Sequence, residues 1–203
     1  MSGLRFVPAD QQADYRARAA DFLRTAYQFQ GQRAFESTRR CAALHEAGHC
    51  VVNTITAGGS FWRPAVTRIW RAPVKGLTAW LGETLPSKKA PPLQIDARTR
   101  PMDCLTFGLQ QLGGIASELL FDAEDYRAGS SVDEWMVAGG CARSLETIGM
   151  FNTGEEALAR MLSATRAMLT VNRPAVLAIA DQLEQQRRIE GAALEKLLRE
   201  VRS

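Results

Sequence analysis

The chain reads as mainly α with a small β-sheet, an α+β fold. Two observations predict it. Apolar residues recur at helical spacing along most of the 203 residues, and two short β-prone segments, near 66–70 and 77–81, interrupt them. The sequence also shows no internal repeat and no linker-like stretch. That predicts one compact unit over 36–203, preceded by an N-terminal helical extension at 1–35. The length suffices for a single domain with a full core.

Taken in order, Tyr15, Ala19, Phe22, Leu23 and Tyr27 predict a helix over 9–30, ended by Gln28-Phe29-Gln30-Gly31. A second helix is expected from about 36 to 56. Cys41, Leu44, Ala47, Val51 and Val52 form its apolar stripe, with Glu36 in the first turn and Gly58-Gly59 as the stop. Val66, Ile69 and Trp70 mark one strand. Leu77 to Leu81 mark another, after the turn-like Pro73-Val74-Lys75-Gly76. Residues 84–101, with Pro86, Pro91, Pro92, Pro101 and Lys88-Lys89, read as a long loop.

Helices resume near Asp103 and run to Phe121 on Leu105, Leu109, Leu112, Ile115, Leu119 and Leu120. A polar loop follows over 122–131. A helix over 132–150 has Ser131 and Glu134 spaced as a capping box, with Gly139-Gly140 weakening its middle. Thr153 and Glu156 repeat that spacing before a helix over 154–171. Pro174 opens the next helix, and Gly191 precedes a last one reaching about Val201.

The two histidines of the chain lie in one pentapeptide, His45-Glu46-Ala47-Gly48-His49. On a helix, residues four apart share a face, one turn above the other. Two imidazoles so placed can aim nitrogens at one zinc ion, and Glu46 can take a proton from a water there as general base. The alternative is a surface helix that happens to carry these residues. The apolar flanks argue for burial, and burying two histidines and a glutamate without partners is costly. Gly48 costs about 1 kcal/mol against alanine inside a helix, which points to a close approach by another backbone or a ligand.

A catalytic zinc usually has three protein ligands and one open position. With no further histidine, the third ligand is a carboxylate or, as the minority reading, a cysteine. Asp103, Glu118, Asp122, Asp125, Asp133 and Glu134 are candidates that spacing does not separate. Glu118 lies mid-helix among apolar residues. Asp133 begins a helix, where an acid complements the helix dipole by default.

A net charge of +3, with scattered arginines, gives no argument for nucleic acid. No stretch approaches the ~20 apolar residues of a membrane span, and the N-terminus has no apolar signal core. Cys41, Cys50, Cys104 and Cys141 show no C-x-x-C spacing and read as buried thiols. A cytoplasmic location is expected.

Several segments, in order, resemble the peptidase domain of the FtsH family of ATP-dependent zinc metallopeptidases. His45-Glu46-Ala47-Gly48-His49 is identical to that family's motif. Val66-Thr67-Arg68-Ile69 and Gly76-Leu77-Thr78 look like its strand pair. Leu112-Gly113-Gly114-Ile115-Ala116-Ser117-Glu118-Leu119-Leu120-Phe121 resembles its leucine-glycine-glycine helix. Gly129-Ser130-Ser131-Val132-Asp133 matches its glycine-to-aspartate segment, and Ile148-Gly149-Met150 closes that helix. Leu169-Thr170-Val171-Asn172-Arg173 and Glu190-Gly191 also fit. The resemblance spans about residues 36–201.

The resemblance implies an FtsH-type peptidase domain built on an HExxH zinc helix. His45, His49 and Asp133 would be the zinc ligands, Glu46 the general base and Glu118 a supporting residue. Val132 stands where the family usually has asparagine, and Gly139-Gly140 interrupts a normally continuous helix. These 203 residues hold no G-x-x-x-x-G-K-[ST] phosphate loop. The expected activity is therefore that of a stand-alone zinc metalloendopeptidase acting on peptides or unfolded segments. A separate ATPase is a possible partner, and a homo-oligomeric ring is implied by resemblance. The alternative is a catalytically silent binding or accessory subunit that retains zinc.

Overall fold

The computed structural model describes residues 12–73, 79–87, 95–122 and 131–202, apart from the side chains of Gln12, Tyr15 and Arg33. Several sequence expectations lie outside these residues. They are the helix start at 9–11, Val74 to Thr78, the loop residues Lys88, Lys89, Pro91 and Pro92, and Asp125, Gly129 and Ser130.

Helix α1 spans Gln12–Gln30 and passes into a short 3-10 turn at Gly31–Phe35. Helix α2 follows at Arg39–Ile55. It starts at Arg39, and Glu36 precedes it, because the Thr38 hydroxyl caps it by accepting from Cys41 N at 2.9 Å. From Cys41 to Val52 nearly every side chain of α2 is buried. A helix apolar on most sides must lie inside the fold.

Strands β1 (Pro64–Arg71) and β2 (Trp80–Pro86) pair antiparallel, with Ile69 opposite Gly82 and Thr67 opposite Thr84. The loop expected over 84–101 is thus corrected at its start: Thr84, Leu85 and Pro86 belong to β2. Pro86 faces Pro64 at the strand end, a position proline tolerates in a sheet. Ala72 N donates to Ala79 O at 2.8 Å. By the two-residue alternation of an antiparallel pair, Trp80, Gly82 and Thr84 turn their backbone groups to the other edge of β2. At Trp80 that edge is occupied. Its N–H donates to Ser37 Oγ at 2.8 Å, and its carbonyl accepts from the same hydroxyl at 2.5 Å.

Helices α3 (Pro101–Phe121), α4 (Val132–Thr147), α5 (Gly154–Val171) and α6 (Arg173–Gln186) come next. Pro101 sits in the first turn of α3, where its missing N–H costs nothing. Helix α4 runs unbroken through Gly139-Gly140, against expectation. It packs against α3, α5 and α1, and that packing outweighs local propensity. Strand β3 (Arg188–Glu190) joins the free side of β1, giving the order β2-β1-β3, and α7 (Gly191–Leu198) closes the described chain. β3 was not anticipated: three residues with one apolar side chain, Ile189, are too few to show alternation.

Helix α2 is the hub. It contacts α3, α6, both longer strands, α5 and α7. Leu44, Leu112, Ile115, Leu145 and Ile179 fill the core around it. Helix α1 packs against α4, with Ala19 and Ala26 buried. Among the described residues no helix is long and apolar enough to cross a membrane.

Candidate metal centre

Small residues let α2 and α3 cross closely. A Cβ on Gly48 would strike the Gly113 carbonyl oxygen and the Ser117 Cβ. A Cβ on Gly114 would strike the His45 ring. The backbone contact inferred from Gly48 is therefore the carbonyl of Gly113. Ser117 Oγ secures the crossing by donating to Leu44 O at 2.7 Å. This proximity lets α3 reach the outer nitrogens of both histidines. His45 Nδ1 lies 2.5 Å from Glu118 Oε1, and His49 Nδ1 lies 2.9 Å from the Gln110 carbonyl oxygen.

Those two partners fix the protons. A carboxylate and a carbonyl only accept, so each Nδ1 carries the hydrogen and each neutral ring turns a lone pair out at Nε2. The two Nε2 atoms face each other at 3.0 Å. Glu134 Oε1, from the first turn of α4, is 3.5 Å from His45 Nε2. Ligand atoms of His45, His49 and Glu134 all lie within 4.8 Å of one another.

Three acceptors meeting in a largely buried place repel unless something positive sits among them. A proton on His45 can do part of this. Burial opposes that charge, but hydrogen bonds to Glu118 and Glu134 outweigh it and hold the His45 pKa well above the ordinary histidine value. Burial and the neighbouring His45 charge push His49 down to about 4. Burial works against a charged Glu134, yet its bond to His45 holds its pKa below the usual carboxylate value. A metal ion satisfies all three acceptors at once. Two ligand atoms of a tetrahedral zinc site are about 3.3 Å apart, from bonds of about 2.0 Å, and 3.0 and 3.5 Å bracket that separation. The donor set thus fits a metal ion in kind and in the two separations made by His45, and the remaining one lies within 4.8 Å.

Glu46 lies on the same helix beneath β2. It is 4 % exposed. Its Oε2 accepts from Thr84 Oγ1 at 2.8 Å, and a Cβ on Gly82 would strike its side chain. Burial pushes its pKa up to about 7, partly offset by His45 and the Thr84 bond. A carboxylate that titrates there can both take and return a proton near neutral pH.

The structure brings His45, His49 and Glu46 to one place, on α2. Asp133, the expected third ligand, is not in this cluster; the carboxylate that meets the two histidines is that of Glu134. Neighbours on a helix point about 100° apart, so Asp133 and Glu134 leave α4 in different directions. The capping box expected at Ser131 is absent. Ser131 is the N-cap residue but makes no side-chain cap bond, and Glu134 is engaged with His45. Glu118 supports His45 from its outer nitrogen. Asp103 lies elsewhere, accepting from Ser60 Oγ at 2.8 Å. Gln110, Gly82 and Thr84 were missed: a backbone carbonyl leaves no sequence signal, and the other two stood in or beside a stretch read as loop. No protein-family model matches the sequence, and no curated protein matches it significantly.

Proposed function

We propose that the protein is a zinc-dependent metalloendopeptidase of the FtsH type, acting on peptides or unfolded segments, with His45, His49 and Glu134 holding the metal. The observation that carries this reading is the convergence of His45 Nε2, His49 Nε2 and the Glu134 carboxylate beside the buried Glu46. Zinc held there supplies Lewis acidity, polarising a scissile carbonyl and bringing the pKa of a water toward neutrality. Glu46 takes the proton of the attacking water and returns it to the leaving amine. Glu118 and the Gln110 carbonyl keep both rings oriented with Nε2 inward. The outer edge of β2 offers the backbone groups of Gly82 and Thr84 to an extended substrate, next to Glu46. A site that needs an extended strand selects unfolded chain. Binding of a metal without hydrolysis would not need Glu46, so its place beside the cluster favours catalysis over a silent accessory role.

The test is cleavage of a reduced, alkylated protein and of a mixed peptide pool by the zinc-loaded chain. Glu46→Gln should lower the rate by roughly 100- to 10,000-fold, the usual contribution of a general base, while leaving zinc content unchanged. No cleavage with zinc bound, or cleavage that survives Glu46→Gln, rules the reading out.

A further inference from the structure

Glu46 is held by a short relay of hydroxyls from the sheet. Thr67 and Thr84 face each other across β1 and β2, with their Oγ1 atoms 3.0 Å apart. Thr84 Oγ1 lies 2.8 Å from Glu46 Oε2. The Glu46 carboxylate can only accept when ionised, so the Thr84 proton points to it. Thr84 Oγ1 is then left as an acceptor, and the Thr67 hydroxyl supplies its proton. Thr67 is fully buried, and its hydroxyl meets the Cys50 thiol as well as Thr84. The Cys50 thiol lies 3.7 Å from the same Thr84 oxygen. Gly82, two residues before Thr84 on the same face, leaves the space into which the Glu46 side chain fits.

We propose that Thr84, oriented by Thr67, is the positioning residue for Glu46. The relay sets which carboxylate oxygen is tied to the sheet and which is left for a proton. This deepens the peptidase reading and rests on it. A carboxylate on a freely rotating glutamate side chain spends little time in one proton-transfer geometry, and misplacement by about 1 Å can cost on the order of 100-fold in rate. Two β-branched threonines on paired strands, Thr67 buried and Thr84 half-buried, are suited to holding it, because each has few side-chain rotamers.

The test uses the zinc-loaded full chain. Thr84→Val keeps the shape and removes the hydroxyl. It should lower kcat roughly 10- to 100-fold, with KM and zinc content unchanged, and Thr84→Ser should restore kcat. Thr67→Val should give a smaller loss, and the Thr67→Val/Thr84→Val double variant should be no slower than Thr84→Val alone, because Thr67 acts through Thr84. An unchanged kcat in Thr84→Val, or a fall that Thr84→Ser does not reverse, overturns the proposal.

A second measurement does not depend on cleavage. Thermal midpoints are compared for Thr84→Ser, Glu46→Gln, Thr84→Val and the Thr84→Val/Glu46→Gln pair. The relay predicts that the double variant shifts the midpoint by less than the sum of its parts. If the chain cleaves nothing, the peptidase reading falls, and additive midpoint shifts then remove the relay as well. If Thr84→Val does not fold, Thr84→Ser against Thr67→Val carries the comparison: Thr84→Ser must keep the wild-type kcat and Thr67→Val must lower it.

Discussion

A methyl group at position 114 would occupy the space of the His45 ring. That gives a residue-scale prediction with a metal readout. Gly114→Ala should displace the ring from Glu118 and weaken zinc binding by roughly 10- to 100-fold, the usual effect of disturbing the shell around a ligand. Competition with a chromogenic chelator measures it. Glu118→Ala should fall in the same range, because its carboxylate fixes the His45 tautomer. A wild-type affinity in Glu118→Ala would mean that the 2.5 Å contact does not orient the ring. Glu118 Oε2 is buried and has no hydrogen-bond partner among the described residues. A residue so costly to bury is better explained by what it does for His45 than by packing.

At the scale of elements, α2 positions the site and its ends decide how firmly. Thr38→Ala removes the bond to Cys41 N and should cost about 1 kcal/mol in denaturant unfolding. Gly48→Ala should destabilise by about 1–3 kcal/mol through overpacking at the α3 crossing, although alanine is the better helix former. An unchanged stability in Gly48→Ala would contradict the close approach of the two helices. Helix α5 offers an acid-side check. Asn152 and Arg160 hold the exposed Glu156 carboxyl below the usual carboxylate value. Its small contribution is therefore present above the ordinary carboxylate range and is lost as pH falls through the lowered folded value. Glu156→Gln should flatten that part of the acid-unfolding curve.

These elements also mark how far the sequence was readable. The stripe of Cys41, Leu44, Ala47, Val51 and Val52 is long and periodic, so α2 was legible within three residues of its start. The pairing of Gly113 with Gly48 was legible only as a need for space. Thr84 was not legible, because proline and lysine beyond it suggested a loop, and strand pairing to Thr67 is a long-range contact. The choice between Asp133 and Glu134 depends on the rotation of α4 about its axis. No spacing within the sequence fixes that.

For the whole molecule, the contact of His45 with Glu134 joins α2 to the first turn of α4. A ligand that binds only the folded chain stabilises it by mass action, about 4 kcal/mol at a thousandfold excess over its dissociation constant. Zinc should therefore raise the thermal midpoint in a concentration-dependent way, and a chelator should reverse it. A midpoint indifferent to zinc would contradict a folded-state site. The most direct test is metal content per chain after dialysis of the zinc-loaded protein, for the wild type, Glu134→Ala and Asp133→Ala. The account predicts one zinc ion per chain in the wild type and in Asp133→Ala, and its loss in Glu134→Ala. Zinc retained by Glu134→Ala and lost from Asp133→Ala would contradict it.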